Sequence, residues 1–553
     1  MIFWEDVIMA KRYRPVLRDQ PFLLPPDMRE WLPEGHPVFL VIEVVEHHLD
    51  TSAVHATRRA GRAGAAGYDP DMLTALLVWA YANRVTSSRR IEQLCRTDIA
   101  FRLICAGQVP GHVTIARFRA ALGPAAAGLS DQVLMLCARL GMGRLGVVAL
   151  DGTKVKASAS LAANKDAAAL RRLAAQIAAG HAATDRAEDA LFGPGAGGGE
   201  LPAELADPRT RGERIAAALT ELDAEEHAAR CQEQQAQARA AEYLTAEPSA
   251  GRPPDAAGAE AARLRLERAV AEQEARIVEW DARNAARAAA GKPALPGSRP
   301  LPPAQARSVG RAAAALERAE SRDASKAGEA AARRATATTS QKTQRNLTDP
   351  HSRLMPVRGG GFIQGYNAQL VTSADGLILA TQLTADPAGT PWFEPMLRAA
   401  ENAAALITDS RPAATCDQDG HASIGLFLAD AGYLSGSNLT TPGPDRLIAT
   451  GKNRDLARQA TGKQHPGDRA DPAIIAMAAR LATTDGITAY RHRCHIAETP
   501  NGHIKHNLAF RQLSVRGRIR ASAEWTFVTT VANLFKAISS GHLTAAALTA
   551  LTS

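Results

Sequence analysis

The sequence predicts an α/β layer divided along the chain, with an all-helical region before it and a helical insertion inside it. Three observations carry that reading. Apolar residues recur at helical spacing from 20 to 145. Short strand-like apolar runs stand at 146–157 and again from about 353. Between them, from about 160 to 345, the composition turns to Ala, Arg, Glu and Gln, so the later strands must complete a sheet begun before the insertion.

In the first region PPDMREWL, PVFLVIEVVEHHLD, DPDMLTALLVWAYANRV, SSRRIEQLCRTDIAFRLICAG and TIARFRAALGPAAAGLSDQVLMLCARLGM each read as a helix. Asp69-Pro70, Ser87-Ser88 and Thr114 supply cap and first-turn chemistry ahead of the last three. They predict a helical domain over 1–140. Next, GVVALDGTKVKA (146–157) delivers Asp151 from a run of apolar residues, with Lys154 and Lys156 on one face of the continuing extended chain.

The insertion, 161–345, is broken by FGPGAGGGELP, EPSAGRPPDAAG and GKPALPGSRPLPP into helical pieces. Partial disorder is expected, because few large side chains offset the ordering entropy. Leu266, Val270, Gln273, Ile277 and Trp280 step as a coiled-coil seam, and Ile215, Leu219 and Leu222 do the same in the preceding piece. Beyond it GFIQGYNAQLVTSADGLILATQLT reads as a hairpin turning at Ser373–Gly376. PWFEPMLRAAENAAALI then reads as a helix, GLFLADAGY as a strand and AEWTFVTTVANLFKAI as a last helix, all within 346–545.

With 553 residues the chain has room for a few ordinary domains. Cys95, Cys105, Cys137, Cys231, Cys416 and Cys494 show no zinc spacing and read as reduced thiols of a cytosolic protein. Glu5 and Asp6 interrupt the opening, and no later window is apolar enough to span a bilayer, so neither export nor a membrane span is expected. Translation from Met9 stays open. The formal charge of +8, from 65 Lys plus Arg against 57 Asp plus Glu, suits a polyanion such as nucleic acid. An Arg-rich composition alone would give the same balance.

VVALD ends in Asp151 and LFLAD in Asp430. Ligands gather beyond the carboxyl ends of strands in α/β sheets, and paired carboxylates there suit Mg²⁺ or Mn²⁺, two of which about 3.5–4 Å apart serve phosphoryl transfer. YRHRCHIAETPNGHIKHNLAFRQLSVRG (490–517) offers Glu498 as a third carboxylate; a helix running from it would share one face with Gly502 and Lys505. Taken singly, each aspartate reads first as a turn or cap residue and Glu498 as a surface ion pair. His492, His495, His503 and His506 fit no zinc motif and read as phosphate or surface contacts. Ser87, Ser88, Arg89, Arg90, Thr114, Arg117 and Arg119 have the chemistry of DNA contact from helix starts, or of a solvated basic face. Gln364, Tyr366 and Asn367 would line the site, or Tyr366 is an ordinary strand aromatic.

DGTKVKASAS (151–160), NLTDPHSRLMPVRGGGFIQGYNAQL (346–370), ADAGY (429–433) and the Y-x2-R-x4-E-x6-K set of Tyr490, Arg493, Glu498 and Lys505 together resemble bacterial insertion-sequence transposases of the DDE type. Among those with the Y-R-E-K signature, the group numbered eleven eighty-two looks most similar. YDPDMLTALLVWAYANRVTSSRRIEQLCRTDIAFRLICAGQVPGHVTIARFR (68–119) resembles that family's helical DNA-binding domain, and EWDARNAARAAAGKPALPGSRP (279–300) its charged insertion.

The resemblance implies an RNase H-like catalytic domain over 141–160 and 346–545, a mixed sheet flanked by helices. Asp151, Asp430 and Glu498 would hold two Mg²⁺ ions, with Mn²⁺ as substitute, and Tyr490, Arg493 and Lys505 would bind phosphates near the transposon end. It further implies strand cleavage at those ends, strand transfer into target DNA, a homodimer on double-stranded DNA, and a cytoplasmic, nucleoid-associated location. Lys154 and Lys156 are expected to meet the DNA backbone. There are two departures: Glu498-Thr-Pro-Asn-Gly502 lacks the aromatic residue of the family's E-P-x-F-G, and Gly111 stands where the family has an aspartate before His-x-Thr. A DNA-binding repressor without catalysis and a metal-dependent nuclease that cuts without joining are the two other readings of these residues.

Overall fold

The computed structural model describes residues 16, 18, 27–56, 66–176, 208–245, 257–336, 344–357, 360–412, 421–451 and 471–552. The opening MIFWEDVIMAKRYRP, the break FGPGAGGGELP, most of EPSAGRPPDAAG, and Cys416 lie outside them. By contacts the chain forms two units, residues 1–164 with 345–553, and residues 165–344.

The first unit opens with helices α1 (Pro37–Glu43), α2 (Pro70–Ala82), α3 (Ser88–Thr97), α4 (Ile99–Ile104), α5 (His112–Ala121) and α6 (Ala126–Arg139). All of Met72 to Tyr81 in α2 is buried, as a helix apolar on every side must be. It starts where expected, with the Asp69 carboxylate accepting from the Asp71 and Met72 amides and Pro70 in the first turn. SSRRIEQLCRTDIAFRLICAG is two helices rather than one. Asp98 takes extended backbone and caps the amides of Ala100 and Phe101, a bond that competes with helix continuation. The next helix begins at His112 with Gly111 as its N-cap, so Thr114, expected as its start, lies inside α5.

The strands are β1 (Val147–Lys156), β2 (Asn164–Asp166), β3 (Gln344–Asn346), β4 (Arg353–Pro356), β5 (Phe362–Ser373), β6 (Ile378–Thr384), β7 (Leu426–Ala429) and β8 (Asp445–Ile448). β5 pairs antiparallel with β1 along one edge and with β4 and β6 along the other. β7 runs parallel to β1, and β8 parallel to β7. Two glycines make this possible. Gly376, at φ +86°, turns the chain from β5 into β6 where the hairpin was expected, and a Cβ on Gly365 would stand 2.2 Å from the Val155 carbonyl oxygen across the ladder.

Residues 165–344 hold α7 (Pro208–Thr245), α8 (Gly258–Ala289) and α9 (Arg307–Thr336). α8 and α9 pack as a hairpin. Leu266, Val270, Gln273, Ile277 and Trp280 form the shielded side of α8, with Arg265, Arg268 and Arg276 exposed around it. Gln273 donates to the Leu301 carbonyl at 2.7 Å, which accounts for a polar residue in an apolar seam. The expected all-helical insertion begins and ends instead in the paired strands β2 and β3.

The longer helices that follow are α10 (Phe393–Ser410), α11 (Pro472–Leu481), α12 (Thr484–Gly502), α13 (Arg518–Ser539) and α14 (Ala545–Thr552). The helical region expected as a domain of its own over 1–140 shares one apolar core with the sheet. Within that core Trp79 packs on Phe535 with centroids 6.2 Å apart, and Tyr81 meets Phe527 edge-on at 5.5 Å. A smaller cluster, Ala149, Leu428, Leu447, Met477, Leu481, Ile496 and Ala497, joins the sheet to α11 and α12. Among the described residues no single helix is long and apolar enough to cross a membrane.

One buried polar contact ties α2 to α13: the Tyr81 hydroxyl donates to Glu524 Oε1 at 2.6 Å, and Glu524 Oε2 also accepts from the Ser514 amide at 2.7 Å. Tyr81→Phe removes one donor from a buried carboxylate, and a bond to a charged group contributes roughly 2 kcal/mol. A loss of about that size in urea unfolding is the expected outcome; an unchanged midpoint would show that the bond contributes nothing.

Candidate active site

Leu150 of β1 pairs with Ala429 of β7 in a parallel ladder. The next residue of each strand is an aspartate, so Asp151 and Asp430 emerge side by side where β7 stops. Asp151 itself was expected at the end of its strand, but β1 continues to Lys156 because β5 pairs with it from Val148 as far as that residue. Its carboxylate is therefore held mid-strand. Asp430 begins a turn and also caps it, Oδ1 accepting from the Gly432 amide at 2.9 Å.

Ala149 packs against Ile496 and Ala497 in the small cluster, which lays α12 on that face of the sheet. Strand alternation then brings Asp151 and Thr153 to the same face. Arg493 Nη2 stands 3.1 Å from Asp151 Oδ1 and 3.7 Å from Asp430 Oδ2. Asn501 Nδ2 donates to Asp151 Oδ2 at 3.0 Å. Lys505, in the π-turn His503–Asn507 that follows α12, donates to the Thr153 hydroxyl. Tyr490 donates to the Ala429 carbonyl at 3.2 Å, steadying the end of β7. Burying Ile496 contributes roughly 2 kcal/mol to keeping α12 in place.

The helix expected to run from Glu498 begins earlier, at Thr484 behind its cap Thr483, and Glu498 lies late in it, exposed. Its charge is felt at Asp151. Burial pushes the Asp151 carboxyl up to about 6; Arg493 opposes that rise, while Asp430 and Glu498 add to it. One guanidinium beside two aspartates therefore does not offset the lost hydration. Asp151 is 18% exposed and Asp430 44%, so the cost falls on Asp151.

Several other candidates sit differently from expectation. Lys154 and Lys156 alternate with Asp151 and Thr153, so the strand turns them to the opposite face. Lys154 donates to the Pro387 carbonyl at 2.7 Å. Tyr366 is buried, its hydroxyl 2.9 Å from Asp349 Oδ1, as an ordinary strand aromatic of the core would be. Gln364 and Asn367 are buried too, bonded to Ser352 and to the Asp386 carbonyl.

Ser87, Ser88 and Arg89 at the start of α3 share an open groove with His112, Val113 and Arg117 of α5. Arg90 is exposed and bonds Gln93 at 2.6 Å. Arg119 turns inward: its guanidinium lies 5.5 Å from the Tyr81 ring centroid, and Nη1 donates to the Ser514 hydroxyl at 2.9 Å. Its contact is with the core, not with a surface ligand. Sequence reasoning also missed Glu92. Gly111 brings no side chain to cap α5, but Glu92 Oε2 accepts from the His112 amide at 2.9 Å and meets the His112 ring at 2.8 Å. Those two bonds, with a further one from Arg96, hold the Glu92 carboxyl down at about 2.

Asp151 and Asp430 offer hard oxygen donors at one strand end, Glu498 adds its charge from α12, and Asn501 Oδ1 is buried beside Asp151 with no hydrogen-bond partner among the described residues. That donor set fits Mg²⁺ or Mn²⁺. Among the described residues the group whose ligand atoms all lie within 4.8 Å of one another is His55, Asp69 and Asp71; Asp151, Asp430 and Glu498 do not come that close together. The oxygens of the His55 group already serve the cap of α2, the Thr51 hydroxyl and the His55 ring.

Residues 26–121 match the transposase domain (DUF772), and residues 454–538 match the transposase DDE domain. Both support a transposase. The first covers the α3–α5 groove; the second covers Tyr490, Arg493, Glu498, Asn501 and Lys505 but reaches neither Asp151 nor Asp430. No curated protein and no solved structure matches.

The Asp151 carboxyl keeps its proton to about pH 6 when folded, against an ordinary value of 3.8. The native state thus binds the proton more tightly than the unfolded chain. Asp151 therefore favours folding most at low pH, and that contribution is lost as pH rises from about 4 to 6, by up to roughly 3 kcal/mol at about 1.4 kcal/mol per pH unit. In EDTA, urea unfolding of Asp151→Asn minus wild type should gain that much between pH 4 and 7. A difference independent of pH would mean that the carboxylate is not strained by burial.

Proposed function

We propose that the protein is a DDE-type insertion-sequence transposase of the Y-R-E-K class, similar to the group numbered eleven eighty-two, that cleaves DNA at transposon ends and joins the freed 3′ ends to target DNA. The observation that carries the reading is the pairing of Asp151 with Asp430 at in-register strand positions, beneath a helix whose Arg493 reaches both carboxylates and which also carries Glu498. The mixed sheet, antiparallel across β6, β5 and β1 and parallel across β1, β7 and β8, supports an RNase H-like arrangement.

Asp151, Asp430 and Glu498 would hold divalent ions, Mg²⁺ with Mn²⁺ as substitute. When bound, such ions supply Lewis-acid polarisation of a phosphodiester and a water or hydroxyl nucleophile at neutral pH. The chain's own groups do the rest. Arg493 offers a planar fork and Lys505 a point charge for phosphate oxygens beside the carboxylates. Burial lowers the Lys505 ammonium below its ordinary value, and Asp151 works against that fall. Tyr490 holds the carbonyl at the end of β7, so the Asp430 turn keeps its place.

Arg89 and Arg117, exposed on the α3–α5 groove, are the cations placed to meet duplex DNA at the terminal repeats, with Glu92 fixing the start of α5. An element has two ends, and we take a homodimer to hold both.

The test is strand cleavage of duplexes carrying the element's own ends, with Mg²⁺. Asp151→Asn and Asp430→Asn should each abolish cleavage while binding survives; cleavage at the wild-type rate in either variant sinks the site. Nicked products never joined to a second duplex would support a nuclease, and binding without cleavage by wild type a repressor. Arg117→Ala should weaken duplex binding and lower the salt slope of log K by about 1. An unchanged slope would remove Arg117 from the interface.

A further inference from the structure

Asp151 is gripped by two donors from one helix, and they differ in charge. Arg493 approaches Oδ1 at 3.1 Å and also reaches Asp430, whereas Asn501 approaches Oδ2 at 3.0 Å. The Asn501 amide has only one workable orientation. Its Nδ2 also lies 3.2 Å from the Ala497 carbonyl, so turning the amide over would set its oxygen against two acceptors. The residue is 8% exposed, and Oδ1 has no partner among the described residues, so the two Nδ2 bonds are what fix the amide.

Both bonds are built into the helix. Ala497 precedes Asn501 by one turn, and Ala497 is packed in the cluster that pins α12 to β1 and β7. The amide is thereby tied to the same surface that carries Asp151. Packing alone would ask for a side chain of this volume and no donor.

Resting on the proposed metal-dependent site, we infer that Asn501 is a positioning residue: its amide fixes the orientation of the Asp151 carboxylate, which would ligate the divalent ion, without adding a competing positive charge. Arg493 cannot serve that purpose, because a guanidinium on the same carboxylate repels the incoming cation. An amide donor is neutral and adds no such repulsion. Donors behind a metal-ligating carboxylate orient it and tune its affinity for the ion.

The experiment is Mn²⁺ titration of the full-length protein followed by electron paramagnetic resonance, with thermal unfolding in EDTA as the control for folding. Asn501→Leu keeps the volume and removes the donor; Asn501→Ala removes the donor in a residue that favours helix; Asn501→Gln keeps an amide donor. Expected are Mn²⁺ affinities about 10- to 100-fold weaker for the Leu and Ala variants, with Gln recovering most of the loss. Wild-type affinity in Leu and Ala, or equal affinity in Leu and Gln, overturns the positioning role. Asp151→Asn separates the two levels: if it alone abolishes binding the metal site stands without Asn501, and if it binds Mn²⁺ like wild type the site assignment itself fails.

Discussion

Parallel pairing of Leu150 with Ala429 decides where two carboxylates can be, because the residue after each must leave the shared ladder at the same height. No loop could hold Asp151 and Asp430 so closely without being fixed by something else. The arrangement has a cost. Asp151 is drawn into a strand paired on its other edge with β5, where its charge is poorly hydrated, and a single arginine shared with Asp430 leaves the pair under-compensated. α12 must therefore stay on the sheet, and what keeps it there is apolar: Ile496 and Ala497 against Ala149 and Leu428. The site's electrostatics and the packing of its covering helix are one problem.

The same logic ties the groove helices to the sheet. Arg119 on α5, Tyr81 on α2, Glu524 on α13 and Ser514 ahead of α13 form one connected set of hydrogen bonds and ring contact. A partly satisfied network would be worse than an apolar one, yet Arg119 Nε and Nη2 are buried with no partner among the described residues. Its cation lies over the Tyr81 ring and near the Glu524 carboxylate, which offsets part of that loss. Glu92 does for the start of α5 what a side chain at Gly111 would have done, and from a neighbouring helix, so the departure at Gly111 does not leave α5 uncapped.

Much of this was legible in residue order. Apolar runs ending in Asp151 and Asp430 located the strands, Asp69-Pro70 located α2, and the hairpin turned at Gly376 as its residues required. The reach of β1 past Asp151 was legible only in part: 146–157 read as strand-like, yet Asp151 was placed at the strand's end, because the strand that pairs with the later residues lies beyond the insertion. Arg117 and Arg119 look alike in sequence, but two residues along a helix turn the side chain by roughly 200°, and one faces solvent while the other faces Tyr81. That distinction needed only the helical period.

Asn501 is the harder case, since nothing about an asparagine late in a helix announces a partner in a strand far earlier in the chain. Its position relative to Arg493 is the nearest thing to a signal. The two are just over two helical turns apart, so both reach across to β1, and their different charges divide the labour. A second cation in place of Asn501 would leave the carboxylates neutralised and with little pull on a metal ion. A neutral donor leaves Asp151, Asp430 and Glu498 with an excess of negative charge over Arg493, and that unrelieved charge is what a cation-binding site requires.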